Sequence, residues 1–170
     1  MKEIQDKYRE LKAFYDDPKK YVSESRFILE YIFDFILETI KEPLEKPLRK
    51  LTCGEKLKII KSYNSLIMPD DVYKEINLAL KTINPYHHKG CERNPEKDRI
   101  TIKICFESYI LKWAENIEGK IDLNKKEIAK IRDKNERERK KKEKPWIFKT
   151  ILFLLGIGIG IIGGKKWGGN

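Results

Sequence analysis

Apolar residues return along this chain every third or fourth position, the spacing of one face of a helix. Ile4, Tyr8, Leu11 and Tyr15 mark the first such segment, with charges between them, and Asp16-Asp17-Pro18 closes it. Ser23-Glu24-Ser25-Arg26 then reads as a helix start, followed by FILEYIFDFILETI. Ile28, Leu29, Ile32, Phe33, Phe35, Ile36, Leu37 and Ile40 cover nearly every side of that helix. A helix apolar all round lies at the centre of a bundle or spans a membrane. Glu30, Asp34 and Glu38 recur through this one, which places it in a bundle.

Pro43 and Pro47 mark a loop. Thr52-Cys53-Gly54-Glu55 has the spacing of a capping box, opening a helix with Leu57, Ile60 and Tyr63. Pro69-Asp70-Asp71 starts another, with Val72, Ile76, Ala79 and Leu80 on one side and acids suited to the helix dipole. Asn84-Pro85 should end it, because the residue before proline avoids helical geometry. A polar loop runs from Pro85 to about Glu96. ITIKICF, at Ile100 to Phe106, alternates as a strand would. Phe106, Ile110, Trp113 and Ile117 continue at helical spacing, however, and no second strand is available to pair with it. The expectation is one helix from about Asp98 to Ile117, ended near Gly119. The chain reads as all-α.

Composition adds charge to this picture. Charged residues make up 38% of the 170 positions and hydrophobic ones 40%, with a formal net charge of +10. That apolar content excludes a disordered chain, and the basic balance suits RNA, DNA or an acidic membrane surface. The charge is concentrated late: residues 121–149 hold 12 Lys+Arg against 6 Asp+Glu. This stretch reads as a solvated, basic helical spacer that can lie against anionic headgroups. MKEIQDKYRELK has no apolar core and is no secretory signal, so a reduced, cytosolic body is expected. Cys53, Cys91 and Cys105 are widely spaced. His87, His88 and Cys91 lie close together, but without a paired-cysteine motif no metal is expected.

LLGIGIGIIGGKKW, Leu154 to Trp167, offers three motifs at once. Gly158, Gly160 and Gly163 spell a dinucleotide fingerprint, which needs a preceding strand and an acid about twenty positions on. Only seven residues follow Gly163 and none is acidic, and a P-loop fails because Lys165-Lys166 is followed by Trp. No cofactor is expected. The membrane reading fares better. Thr150–Gly164 is free of charge, roughly 22 Å as a helix, and Trp146–Trp167 extends to about 33 Å against a hydrocarbon core of about 30 Å. Tryptophans at both ends suit the interfacial belts, and Lys149 and Lys165 can snorkel. Gly156, Gly160 and Gly164 share one stripe, which lets neighbouring helices approach closely. The segments expected are an amphipathic helix over 1–20, a helical domain over 21–119, the spacer over 120–145 and a transmembrane helix over 146–167. A single-pass protein of the cell membrane with a cytoplasmic body follows, assembling as a homo-oligomer.

The body between about Tyr21 and Ile117, a little over half the chain, resembles the HEPN superfamily, especially its DUF4145-like branch. Arg26 and Glu30 in SRFILEYIFDFI match that branch's Arg-x-x-x-Glu on a central apolar helix. LKIIKSYNSLIMPDDVYKEI continues the likeness, which is strongest in KTINPYHH, where Lys81, Asn84 and His88 occupy the places of the superfamily's Arg, polar residue and His. The arginine has become lysine and Pro85 follows the asparagine. The resemblance implies a helical bundle, a site formed across a dimer, and metal-independent RNA cleavage where the motif is intact. It also implies a prokaryotic antiviral role. In such chemistry a histidine moves a proton and a cation steadies the phosphate. Lysine is a mobile point charge where arginine is a planar fork, so Lys81 is the weaker group. His88, Lys81 and Asn84 are the candidate catalytic set, with His87, Arg26 and Glu30 in support and Arg93 able to substitute if the fold brings it close.

Three functions fit. The first is a membrane-anchored effector whose glycine-rich helices assemble and perturb the bilayer. The second is a membrane-tethered ribonuclease using His88 and Lys81. The third is a tail-anchored adaptor without activity. Membrane lipids, RNA, a second copy and a defence-system sensor or nuclease are the partners these imply.

Overall fold

The computed structural model describes residues 2–87 and 93–154, with side chains from residue 3 to residue 141. All regular structure among them is helical. The helices are α1 (Lys2–Lys12), α2 (Pro18–Thr39), α3 (Cys53–Lys61), α4 (Asp70–Ile83), α5 (Pro95–Cys105), α6 (Leu111–Glu115), α7 (Ile117–Leu123) and α8 (Lys125–Leu154). Short 3₁₀ turns cover Leu48–Lys50, Asn64–Leu66 and Asn84–His87, and a π-helical segment covers Phe106–Ile110. The chain divides into two compact units, Met1–Arg132 and Asp133–Asn170, with the division inside α8.

In the first unit α2 is the central helix, packed against α1, α3, α4, α5 and α7. Tyr21, Val22, Ile28, Leu29, Ile32, Phe33, Ile36 and Leu37 are buried along it, as its all-round apolar pattern requires. α2 begins earlier than Ser23-Glu24-Ser25 suggested. Asp17 is its N-cap, accepting from the Lys20 N–H at 3.1 Å, and Pro18 fills the first turn, where no N–H is needed. The Asp-Pro pair that reads as a stop is therefore also the next start. At the other end Lys41 takes a φ of 52°, and the Lys41 and Glu42 N–H groups bond to the Glu38 and Leu37 carbonyls. This is a Schellman closure with lysine in the place glycine usually holds.

α1 packs into the same core through Ile4, Tyr8 and Leu11. ITIKICF is helical, and its turns belong to α5 and the π segment. Two details depart from the expected single helix. Asn94 caps α5 and accepts from the Lys97 N–H at 3.1 Å, so the helix starts at Pro95. Gly119 sits inside α7; the break falls at Asn116 instead. The π segment inserts one residue into the turn, which a periodic pattern cannot show. It carries Glu107, which accepts from the Tyr8 hydroxyl at 3.1 Å and pairs with Lys12 at 3.0 Å. The Tyr8 and Tyr21 hydroxyls lie 3.3 Å apart, and burial pushes both phenols upward. This polar knot ties α1, α2 and the π segment together.

The capping box forms as read. The Glu55 N–H donates to the Thr52 hydroxyl at 3.2 Å and the Thr52 N–H donates to the Glu55 carboxylate at 2.8 Å. The Thr52 backbone and hydroxyl, then Lys46, hold Glu55 at about 2 instead of 4.5. A lowered folded pKa gives stability that is complete above the unfolded value and lost as pH falls through the folded one. Glu55→Gln should therefore lower Tm near neutrality and flatten the acid decline between 4.5 and about 2, as thermal melts across pH would show.

Candidate functional site

Two groups of polar residues stand out, and the first lies between α2 and α3. Positions 26, 30 and 34 share one stripe of α2, a turn apart, where an otherwise apolar helix meets α3. Arg26 Nε donates to Glu30 Oε1 at 2.9 Å, and Cys53 Sγ donates to the same oxygen at 3.4 Å. Lys56 is buried, its side chain only 4% exposed, and its Nζ meets Asp34 Oδ1 at 2.5 Å. That oxygen is buried and has no other partner among the described residues. Burial pushes Glu30 upward, but hydrogen bonds from Arg26 and Cys53, with the charges of Arg26 and Lys56, outweigh it and leave the carboxyl lowered. Burial and Glu30 push the Cys53 thiol up to about 12, so it is no thiolate nucleophile near neutrality. Two cations and two carboxylates balance here. The arrangement joins two helices rather than opening a reactive group to solvent.

The second group sits where α4 ends. Lys81 lies in the last turn of α4 and is exposed; Asn84 is the C-cap, and its N–H bonds to the Leu80 carbonyl. His87 closes the 3₁₀ turn that follows. Proline at position 85 removes the N–H that would complete the Lys81 carbonyl's helical bond. Arg93 fills that gap: its Nη2 donates to the Lys81 carbonyl at 3.1 Å. A cation at a helix C-terminus also complements the dipole. Across the turn, the Tyr86 hydroxyl donates to the Asp98 carboxylate at 2.8 Å, tying the turn to α5. Lys81, Asn84, His87 and Arg93 thus gather on one exposed end of the bundle. No hydrogen bond or ion pair links Arg26 or Glu30 to Lys81 or Asn84 among the described residues. His88 and Cys91 lie outside the described residues, as do Gly156, Gly160 and Gly164.

The Arg93 contact has a testable cost. Arg93→Ala should destabilise the fold by about 1 kcal/mol, the net worth of one such hydrogen bond. In a Pro85→Ala background the same substitution should cost measurably less, since a backbone N–H can then serve Lys81. Chemical denaturation of the four variants closes that cycle.

No protein-family model, curated protein or solved structure matches the chain. Among the described residues no three His, Cys, Asp or Glu side chains gather as a metal donor set, and no helix is long and apolar enough to cross a membrane. Sequence reasoning missed Lys56 and Asp34, whose pairing depends on how α3 meets α2. The Pro85 gap was the one available signal for the Arg93 contact.

Proposed function

We propose that this chain is a membrane-anchored, HEPN-like effector of prokaryotic antiviral defence. Its C-terminal helix, over 146–167, assembles copies through Gly156, Gly160 and Gly164 and perturbs the cell membrane. One observation carries the reading: the basic helix α8 continues unbroken to Leu154, into the uncharged run Thr150–Gly164. Five of those fifteen uncharged residues, Thr150–Leu154, belong to the helix, and an uncharged run of that length after so charged a segment is suited to a nonpolar phase. Two features support the HEPN likeness. A central apolar helix carries the Arg26–Glu30 pair, and Lys81 and Asn84, two of the three motif positions, stand at the end of a later helix. In this reading the body is cytoplasmic, the degenerate motif binds RNA or a defence-system sensor or nuclease, and several copies act together.

A ribonuclease is the second reading, favoured by the Arg93 guanidinium at the Lys81 carbonyl, an arginine brought beside the lysine of the motif. Dye release from vesicles, measured for the full chain and for Gly160→Leu, tests the first reading. RNA cleavage without metal, lost in His88→Ala and unaffected by Gly160→Leu, would replace it with the second.

A further inference from the structure

α4 and α5 run antiparallel side by side. Glu75 accepts from Cys105 Sγ at 3.4 Å near one end of the pair, and Arg93 reaches the Lys81 carbonyl at the other. On α5, Arg99 and Lys103 turn away from this seam to cover the Tyr15 ring at 4.0 and 5.1 Å. Arg99 takes Glu96 with it, at 2.6 Å. Three large apolar side chains stand exposed along the outer side of the seam, with Thr101 between them and the acids Asp71 and Glu75 on the α4 side. Ile100 is 50% exposed, Ile104 53% and Leu78, on the α5-facing shoulder of α4, 44%. Ile100 and Ile104 are one turn apart, and Ile104 adjoins the Cys105 that touches α4.

Cations surround this strip. Lys74 and Lys81 flank Leu78 one turn to either side, Lys97 precedes Ile100 by three positions, and Arg93 stands at the end of α4. All four are exposed, and none is ion-paired to a carboxylate among the described residues. Eight other cations of the body, Lys7, Arg9, Lys12, Arg26, Lys46, Lys56, Lys61 and Arg99, have carboxylate partners, whereas Lys41 and Lys58 are exposed and unpaired among the described residues but have no such apolar strip beside them. Such an arrangement calls for an occupant that is anionic and also receives aliphatic side chains. Single-stranded nucleic acid gains affinity by stacking bases on aromatic rings, which isoleucine and leucine do not offer. A second copy docked on the same face would set four cations against four. A phospholipid interface satisfies both demands, apolar side chains entering among the acyl chains and lysines meeting headgroup phosphates.

We propose that the outer face of the α4–α5 seam, centred on Leu78, Ile100 and Ile104 and rimmed by Lys74, Lys81, Arg93 and Lys97, binds anionic phospholipid bilayers. This holds whatever residues 150–164 do. The test therefore uses residues 1–132, the compact unit that contains the whole core from Ile4 to Ile128. That fragment should sediment with vesicles of equal parts phosphatidylglycerol and phosphatidylcholine, but not with phosphatidylcholine alone. Salt near 1 M, where the Debye length is about 3 Å, should release it. Each lysine near the surface contributes about 1 kcal/mol, or about fivefold in affinity, so Lys74→Glu with Lys97→Glu should weaken binding at least about 25-fold. Reversing exposed Lys41 and Lys58 should have less than a tenth of that effect. Ile100→Ser with Ile104→Ser, conservative for the core because both side chains are exposed, should also abolish sedimentation while the melting curve stays cooperative. A folded fragment that ignores anionic vesicles overturns the proposal, as does binding that survives the isoleucine substitutions or responds equally to Lys41 and Lys58. Light scattering that shows a dimer dissociated by Ile104→Ser would assign the face to a second copy instead. Equal binding to single-stranded RNA, lost with the lysines alone, would assign it to nucleic acid.

Discussion

Lys56→Ala is expected to destabilise the helical body by about 2–3 kcal/mol, lowering Tm by roughly 5–10 °C. The cause is the charge left behind. Lys56 Nζ is the single partner of the buried Asp34 Oδ1 among the described residues, and its charge also helps keep Glu30 ionised. Removing one member of a fully buried pair costs more, about 3–5 kcal/mol, but Asp34 is 35% exposed and water can partly replace the lysine. The pH dependence follows from the direction of the Glu30 shift. Glu30 is lowered in the folded state, so its contribution is present above the unfolded value of 4.5 and lost as pH falls through the folded one. Without Lys56 that folded value rises, and acid unfolding should begin at higher pH. Lys56→Met combined with Asp34→Asn should restore most of the loss, because it removes both charges and nearly preserves volume. Thermal melts of the parent and the two variants across pH decide the matter. A single Lys56→Ala that melts like the parent would show the pair to be inert.

How far this pair was legible in advance shows what sequence reasoning can reach. The apolar periodicity of α2, the Thr52–Glu55 box and the stop at Asn84-Pro85 are local effects, encoded within about four residues, and each formed as read. Asp34 and Lys56 are twenty-two positions apart, and what makes them partners is the contact between α2 and α3. Asp34 was counted as an acid that kept α2 out of a membrane, which is correct but says nothing of its counter-ion. The start of α2 was misplaced for another reason. Asp17-Pro18 serves both as an end and as a beginning, and Ser23-Glu24-Ser25 offered a competing start. Asn116, in turn, ends a helix at an exposed position, its side-chain amide donating to the Lys112 carbonyl at 2.8 Å, whereas Gly119 has open space around it and stays helical.

The candidate site divides in the same way. Lys81, Asn84 and His87 are neighbours along the chain, so their gathering at the end of α4 was legible in KTINPYHH. Arg26 and Glu30 form the expected i,i+4 pair. Their further ties to Cys53 and Lys56 place them in a neutral network between helices, which supports a structural over a catalytic role. Arg93 is the informative case. It reaches the Lys81 backbone, not its side chain, and the reason is elementary: a proline four residues on leaves a carbonyl without a donor.

Gly160→Leu is expected to reduce vesicle dye release by at least about tenfold, the effect of a 1.4 kcal/mol loss in assembly free energy. Gly156, Gly160 and Gly164 are four apart, so their stripe drifts slowly around a helix and suits a close crossing of two helices. Leucine at the middle position adds a branched side chain where backbones would touch. It also raises apolarity and helix propensity, so insertion itself should be unharmed or improved. Partition and assembly can therefore be separated. The variant should remain in the membrane fraction, while cross-linked species above the monomer disappear. Gly158→Leu is the matched control, because position 158 lies roughly 160° from position 160 on a helical wheel of about 3.6 residues per turn. It makes the same chemical change away from the stripe and should keep most of the dye release. If both substitutions act alike, the glycines matter only as weak helix formers and the packing stripe is refuted. If the parent chain inserts but releases no dye, the chain is an anchor, and the adaptor reading takes its place. If the parent fails to partition, residues 146–167 do not span, and the function must be sought in the helical body alone.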